Sequence, residues 1–399
     1  MQKILIPYSM LKPSQRLLSI DAFRALTMLT MIFVNDVSGV KNIPAWIGHV
    51  QAQEDGLGFA DTVFPAFLFI VGLSIPFAIG KRITQQKSFL STALHILVRS
   101  LALIVMGFFH VNLENYSQAA ILPYALWELL ITIGFFLVWL DYPSDMDKRK
   151  RYGLTGAGIL LLAAMAALYK GGPADATHWM EPSWWGILGI IGWAYLVCAT
   201  LYLIVKGNFG AITAILAIFL LINIFTHAGL LHFSIPVIND ASSASLIMAG
   251  AVVSSLYTLL DKKRKLGSLW AIFIGLGVLA IVAAFILRPH TDGISKIRAT
   301  PAWVLICTGI SILVFTAMIW LVDVKGKMNW FKLIRPAGTS TLTCYLIPYL
   351  LYSLMLLAGI KYPAALSEGA GGLLRSIAIS FLVIILVGWM EKKRIRLKI

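Results

Sequence analysis

The chain has 399 residues, a formal net charge of +15, 59% hydrophobic residues and 13% charged ones, with a mean hydropathy of +0.84. Soluble domains carry about 25% charged residues, whereas apolar runs of about 20 residues, each long enough for a hydrocarbon core of roughly 30 Å, recur along this whole chain. No soluble core could bury so many, so composition excludes a water-soluble protein and predicts an all-α polytopic membrane helical bundle, since helices satisfy their backbone groups internally.

Residues 1–16, MQKILIPYSMLKPSQR, read as a short cytoplasmic lead. They are not a secretory signal, because the apolar run behind them is full length and has no small-residue cleavage site. About twelve spans follow, at 17–37, 59–80, 90–111, 119–140, 153–169, 184–205, 210–226, 244–260, 268–287, 302–322, 337–358 and 372–390. The fifth and eighth are short, and the count becomes eleven if one of them is re-entrant. A single membrane domain therefore covers 17–390, and 391–399 form a basic cytoplasmic tail. No soluble domain, low-complexity segment or internal repeat interrupts it.

Basic residues orient the bundle. With a cytoplasmic N-terminus, 24 of the 33 Lys and Arg fall in inside segments such as GKRITQQK, DKRKRY, DKKRKLG and EKKRIRLKI. Outer loops hold Lys41, Lys170, Arg288, Lys296, Arg298 and Lys361. The asymmetry supports that orientation and an even count. It also accounts for the net charge as contacts with anionic lipid, with no nucleic-acid partner. Six of the seven histidines, all but His95, then lie at the outer face, among loops rich in Trp, Asn and Asp such as GGPADATHWMEPSWW. Trp184 and Trp185 there suit an interfacial belt or a carbohydrate site. Cys198, Cys307 and Cys344 sit in apolar runs as packing residues and imply neither disulfides nor a metal site.

Charges inside spans carry more information, since each costs roughly 2.5–3.5 kcal/mol at mid-membrane on insertion scales. SIDAFRALTML places Asp21 and Arg24 three apart on one helical face. They form either a local ion pair or a cytoplasm-facing anion site with Arg24 meeting phosphate. Arg99 and Glu128 lie deeper and need partners, each other among the candidates; Arg99 also suits an extension of the anion site. At the outer end of the first span stand Asn35 and Asp36, His49 follows in the loop, and Asp61 opens the second span in GFADTVFP. A histidine beside a carboxylate can accept a proton near neutral pH, and an Asn can hold a polarised carbonyl. Taken singly, Asp61 equally suits a helix cap and His49 a solvated loop residue.

RLLSIDAFRALTMLTMIFVND, a histidine loop and GLGFADTVFPAFLFIVGLSI, with TPAWVLICTGISILVF, WLVDVKG and RPAGTSTLTCYLIP later, resemble the heparan-α-glucosaminide N-acetyltransferase family. The likeness is strongest in spans 1–2 and 10–11. It implies a multi-span acyltransferase domain over 17–390 that takes acetyl from cytosolic acetyl-CoA, a co-substrate, and delivers it across the membrane. It implies His49 as the active histidine, Asn35 as the span-1 asparagine and Asp61 as the acidic residue opening span 2. The loop between His49 and Asp61 departs from the family, being about two residues longer and lacking an aromatic residue after the histidine. With no extra luminal part ahead of span 1, the expectation is a bacterial inner membrane.

The expected activity is transfer of acetyl to a periplasmic amino sugar or oligosaccharide, with Arg24, Arg99 or Lys325 meeting the phosphates of acetyl-CoA and Asp21 beside them. His49 is then a general base or a transient acetyl carrier. No metal is expected, and the resemblance leaves room for a homodimer. A sugar carrier without covalent chemistry and an O-acetyltransferase acting on an envelope glycan are the alternatives.

Overall fold

Every long apolar run folds as a helix. The computed structural model describes residues 17–232, 237–262 and 266–399; the 1–16 lead and residues 263–265 of the basic DKKRKLG loop lie outside the described residues. Thirteen α-helices are present among them: α1 Leu18–Val37, α2 Ala60–Thr84, α3 Phe89–Val111, α4 Tyr124–Trp139, α5 Lys148–Leu168, α6 Gly186–Ile204, α7 Phe209–His227, α8 Ser242–Lys262, α9 Leu266–Leu287, α10 Pro301–Met318, α11 Arg335–Thr339, α12 Thr341–Leu357 and α13 Gly369–Lys392. Extended pairing among the described residues is limited to isolated bridges. Ten helices are long and apolar enough to cross a membrane, and α4 and α12 are shorter apolar helices. Leu160 of α5, Ile218 of α7 and Leu279 and Phe285 of α9 are exposed, as lipid-facing side chains of a multi-pass membrane protein are.

Two predicted spans are interrupted. The tenth leaves α-geometry after Met318 and runs on as a π-helical turn, Ile319–Val324. The eleventh breaks at Ser340, whose φ of −125° and ψ of 45° separate α11 from α12. The sequence there is RPAGTST, where Ser and Thr hydroxyls compete for backbone partners. The break lets α11 pack on α1.

Close helix pairing relies on small residues, as membrane interfaces do. A Cβ on Gly72 of α2 would stand 1.8 Å from the Ile247 carbonyl oxygen of α8, and one on Gly250 of α8 would stand 2.0 Å from that of Phe69. The two backbones therefore touch, and no other residue fits either position.

Buried charges find partners across helices. Asp36 of α1 accepts from Arg375 of α13 at 2.9 Å and from the hydroxyls of Tyr352 and Ser376, while the Arg375 guanidinium lies 4.4 Å from the Tyr362 ring. Glu128 accepts from Ser353 and Tyr124. Arg99 lies over the Tyr195 ring at 5.3 Å. Arg99 and Glu128 are thus not each other's partners, and helix direction explains it. Arg99 is twelve residues from the end of α3, whereas Glu128 is four residues into the returning α4, a depth difference of about 12 Å at 1.5 Å per residue. The 391–399 segment folds back on the bundle: Arg396 and Lys398 pair with Asp141 at 3.0 and 3.1 Å, and the Leu397 amide donates to Thr343.

Candidate active site

The loop joining α1 to α2 crosses itself. A single turn, Ala45–Ile47, begins it, the Phe59 amide returns to the Trp46 carbonyl at 2.7 Å, and a Cβ on Gly58 would stand only 2.0 Å from the Gly48 oxygen. This crossing brings the amides of Val50 and Gly58 to one carboxylate, that of Asp61, at 3.1 and 3.0 Å on Oδ2. Asp61 sits in the first turn of α2, is 1% exposed, and its backbone oxygen accepts from the Trp303 indole of α10 at 3.0 Å. The helix N-terminus favours the negative charge, but the amides that bind it belong to the loop, so Asp61 is not a helix cap.

Oδ1 of Asp61 lies 2.6 Å from Nδ1 of His49. A carboxylate in that position fixes the proton on Nδ1 and leaves the lone pair on Nε2. His49 is 40% exposed at its side chain, and Nε2 makes no hydrogen bond with a described residue. The imidazole is thus oriented at its back and open at its front.

A second loop closes on the first. Asp55 accepts from the Ile294 amide at 2.7 Å and from Arg288 Nε at 2.9 Å. Burial opposes ionisation of Asp55, yet the Ile294 amide and the Arg288 guanidinium outweigh it and hold the carboxyl below its ordinary value. The same loop places Lys296 Nζ 3.4 Å from His49 Nδ1. Burial pushes this ammonium below the usual lysine range, against the pull of the Asp61 charge. Sequence reasoning counted Lys296 only as an outer-loop charge; the polar run LRPHTDGISKIRATPAW was the available signal.

Asn35 is exposed at the end of α1. Its carbonyl accepts from Ser38 at 2.7 Å, and its side chain makes no hydrogen bond to the pair. Trp184 bonds Glu114 through its indole at 2.9 Å, and Trp185 packs on Trp193 at 5.4 Å.

The opposite end of the bundle, where α1 begins, holds a cavity of about 1290 Å³ lined by Asp21, Arg24 and Arg99. Small-molecule sites usually measure 300–1,000 Å³, so this one has room for a large ligand. Arg24 bonds Asp21 at 3.2 Å, Ser74 Oγ at 2.7 Å and the Gly338 carbonyl at 3.4 Å. Lys325 is not among the lining residues; it packs over the Trp320 ring at 5.5 Å. Lys81, Lys206 and Lys398 do line the cavity, cations that sequence reading took for topology signals alone. The cavity reaches Phe67 of α2, six residues or about 9 Å below Asp61. Among the described residues no cluster of three His, Cys, Asp or Glu is placed to hold a metal ion, and Cys198, Cys307 and Cys344 are free and buried.

Residues 16–226, more than half of the chain, match the family profile described as "Domain of unknown function (DUF5009)". The chain belongs to the DUF5009 family. This DUF5009 protein is also 36% identical over 103 residues to the mouse heparan-alpha-glucosaminide N-acetyltransferase, covering 26% of this chain and 15% of that protein. The human protein of the same name is 37% identical over 101 residues, covering 25% of this chain and 14% of its own. The match spans about a seventh of the length of these curated relatives. Over about a quarter of the chain, the similarity bears out the resemblance read from the motifs.

Proposed function

We propose that this protein is a transmembrane acetyltransferase that takes acetyl from acetyl-CoA bound in the basic cavity and delivers it to an amino sugar or oligosaccharide at the His49 end. The observation that carries this reading is the His49–Asp61 pair, 2.6 Å apart with Nε2 open, at the far end of the bundle from a large cation-lined cavity. The basic inside loops support a cytoplasmic cavity and an external His49, as in a bacterial inner membrane.

In the proposed reaction Nε2 of His49 takes a proton from the acceptor amine as its nitrogen attacks the thioester carbonyl carbon. The C–N bond forms, the C–S bond breaks, and the CoA thiolate recovers the proton from the imidazolium. Asp61 holds the tautomer and offsets the imidazolium charge. Such base catalysis contributes typically 10²–10⁴-fold. Asn35, exposed near the end of α1, is assigned contact with the acceptor. Arg24 and Arg99 meet the phosphates, together with Lys81, Lys206 and Lys398 from the cavity wall.

The test is release of free CoA by detergent-purified protein given acetyl-CoA and a panel of amino and N-blocked sugars. Release with amino sugars only, lost in His49→Ala with the melting temperature unchanged, supports the reading. Release that persists in His49→Ala overturns it. Uptake of labelled sugar into proteoliposomes without acetyl-CoA identifies a carrier instead.

A further inference from the structure

Lys296 is unusual in its placement. Its Nζ lies 3.4 Å from His49 Nδ1, an atom already bonded at 2.6 Å to Asp61. Because Nδ1 carries the proton shared with the carboxylate, it has no lone pair for an ammonium to donate into. Lys296 therefore acts on the pair through its charge rather than through a hydrogen bond. The placement is built, not incidental. Ser295 and Thr300 close a turn around it, with the Ser295 amide on Thr300 Oγ1 at 3.0 Å and the Ala299 amide on the Lys296 carbonyl at 3.1 Å. Asp55, from the His49 loop itself, bonds the neighbouring Ile294 amide at 2.7 Å. The loop that carries the histidine thus also grips the loop that carries the lysine.

We propose that Lys296 is a positioning residue of the His49–Asp61 pair, whose ammonium stands on the Nδ1 edge of the ring and opposes a second positive charge there, leaving Nε2 open to an acceptor. The proposal rests on the reading of His49 as the base. A cation on the same edge repels a further positive charge at the ring while leaving the tautomer to Asp61. Among the described residues the groups that face His49 are few: Asp61 of α2, Lys296 of the second loop, and, behind Asp61, Trp303 and Cys307 of α10. Farther out, Arg288 is paired with Asp55, and Arg298 stands beside that pair. Among the described residues Lys296 is the cation in contact with the ring.

The experiment uses full-length protein in detergent with ring-labelled histidine, the His49 resonance being assigned by its loss in His49→Ala. Lys296→Met removes the charge and keeps the length; Lys296→Arg keeps the charge. A unit charge at this distance from a half-exposed ring changes its protonation about tenfold. The titration midpoint of the His49 signal is therefore expected to rise by about one pH unit in Lys296→Met, and the acid limb of kcat/KM for CoA release to rise with it. Lys296→Arg should restore both. Lys296→Gln replaces the Met variant if that protein melts several degrees lower. An unchanged His49 midpoint in the neutral variants overturns the proposal, as does an Arg variant that shifts like Met. If the signal moves as expected but no variant, nor the native protein, releases CoA, then the acetyl-transfer reading falls while the charge control of the pair stands.

Discussion

Asp61→Asn separates the tautomer argument from simple loss of a buried charge. In the native site Oδ2 accepts two loop amides, at 3.1 and 3.0 Å, and Oδ1 faces His49 Nδ1 at 2.6 Å. An asparagine has one acceptor oxygen and one NH₂ group. Turned with NH₂ toward the loop it would set donor against donor twice, so the oxygen must face Val50 and Gly58. The NH₂ then points at Nδ1 and donates to it, forcing the ring proton onto Nε2 and removing the base. A triad carboxylate replaced by its amide elsewhere loses about 10⁴ in turnover through the same tautomer error, or about 5.4 kcal/mol at 1.36 kcal/mol per decade. The expected loss here is about 10³–10⁴ in kcat for CoA release. The melting temperature should change by only a few degrees, because the Trp303 bond goes to the Asp61 backbone oxygen and survives. Turnover within fivefold of native in a folded Asp61→Asn protein would falsify the assignment of Nε2 as the proton acceptor.

Further outcomes follow from other parts of the bundle. Asp36→Ala strands Arg375 in the interior and should lower stability by about 3–5 kcal/mol, read as thermal unfolding in detergent, with part of the loss recovered in the Asp36→Ala/Arg375→Met double variant. Arg24→Gln removes a charge-assisted bond to Ser74 and should raise KM for acetyl-CoA about tenfold or more with kcat within threefold; Lys325→Gln, outside the cavity, should leave KM unchanged. Gly250→Val drives a side chain into the Phe69 carbonyl and should abolish recovery of folded protein in size-exclusion chromatography. Asp55 is held below its ordinary value, so its contribution is present above about pH 3.9 and is lost as pH falls through the lower, folded-state value. The melting-temperature gap between native protein and Asp55→Asn should be full at neutral pH and close only in strong acid.

Hydropathy located the helices because lipid imposes one rule on every span, although the fifth and eighth, read as short, run 21 residues each as α5 and α8, and the shorter apolar helices are α4 and α12. The first span, read as 17–37, is Leu18–Val37, and the third, read as 90–111, is Phe89–Val111. The break at Ser340 escaped that rule, since mean hydropathy does not register backbone geometry within an apolar run. His49, Asp61 and the Asp21–Arg24 pair were legible because motif and helical spacing are local. Lys296 was not: it reaches His49 across 247 positions of chain, and its identity as a loop lysine says nothing of distance. The same holds for Asp36 and Arg375, 339 apart, whose pairing only the packing of α13 on α1 decides. Lys325 is the converse case, a cation near a span end that stands outside the cavity lining, over the Trp320 ring.

On the proposed reading, one helix sets the dimensions of the donor. α2 carries Asp61 at its first turn and, thirteen residues later, Ser74, which holds Arg24 in the cavity. At 1.5 Å per residue the two positions are about 20 Å apart, and the backbone contact at Gly72 locks this rod to α8. A donor whose anionic end rests at Arg24 and whose acyl group reaches His49 must therefore be a narrow, extended molecule about that long. On the proposed reading, acetyl phosphate, with its charge and acyl carbon only a few bonds apart, would be too short to serve, and α2 would act as a ruler that selects a carrier by the length of its arm.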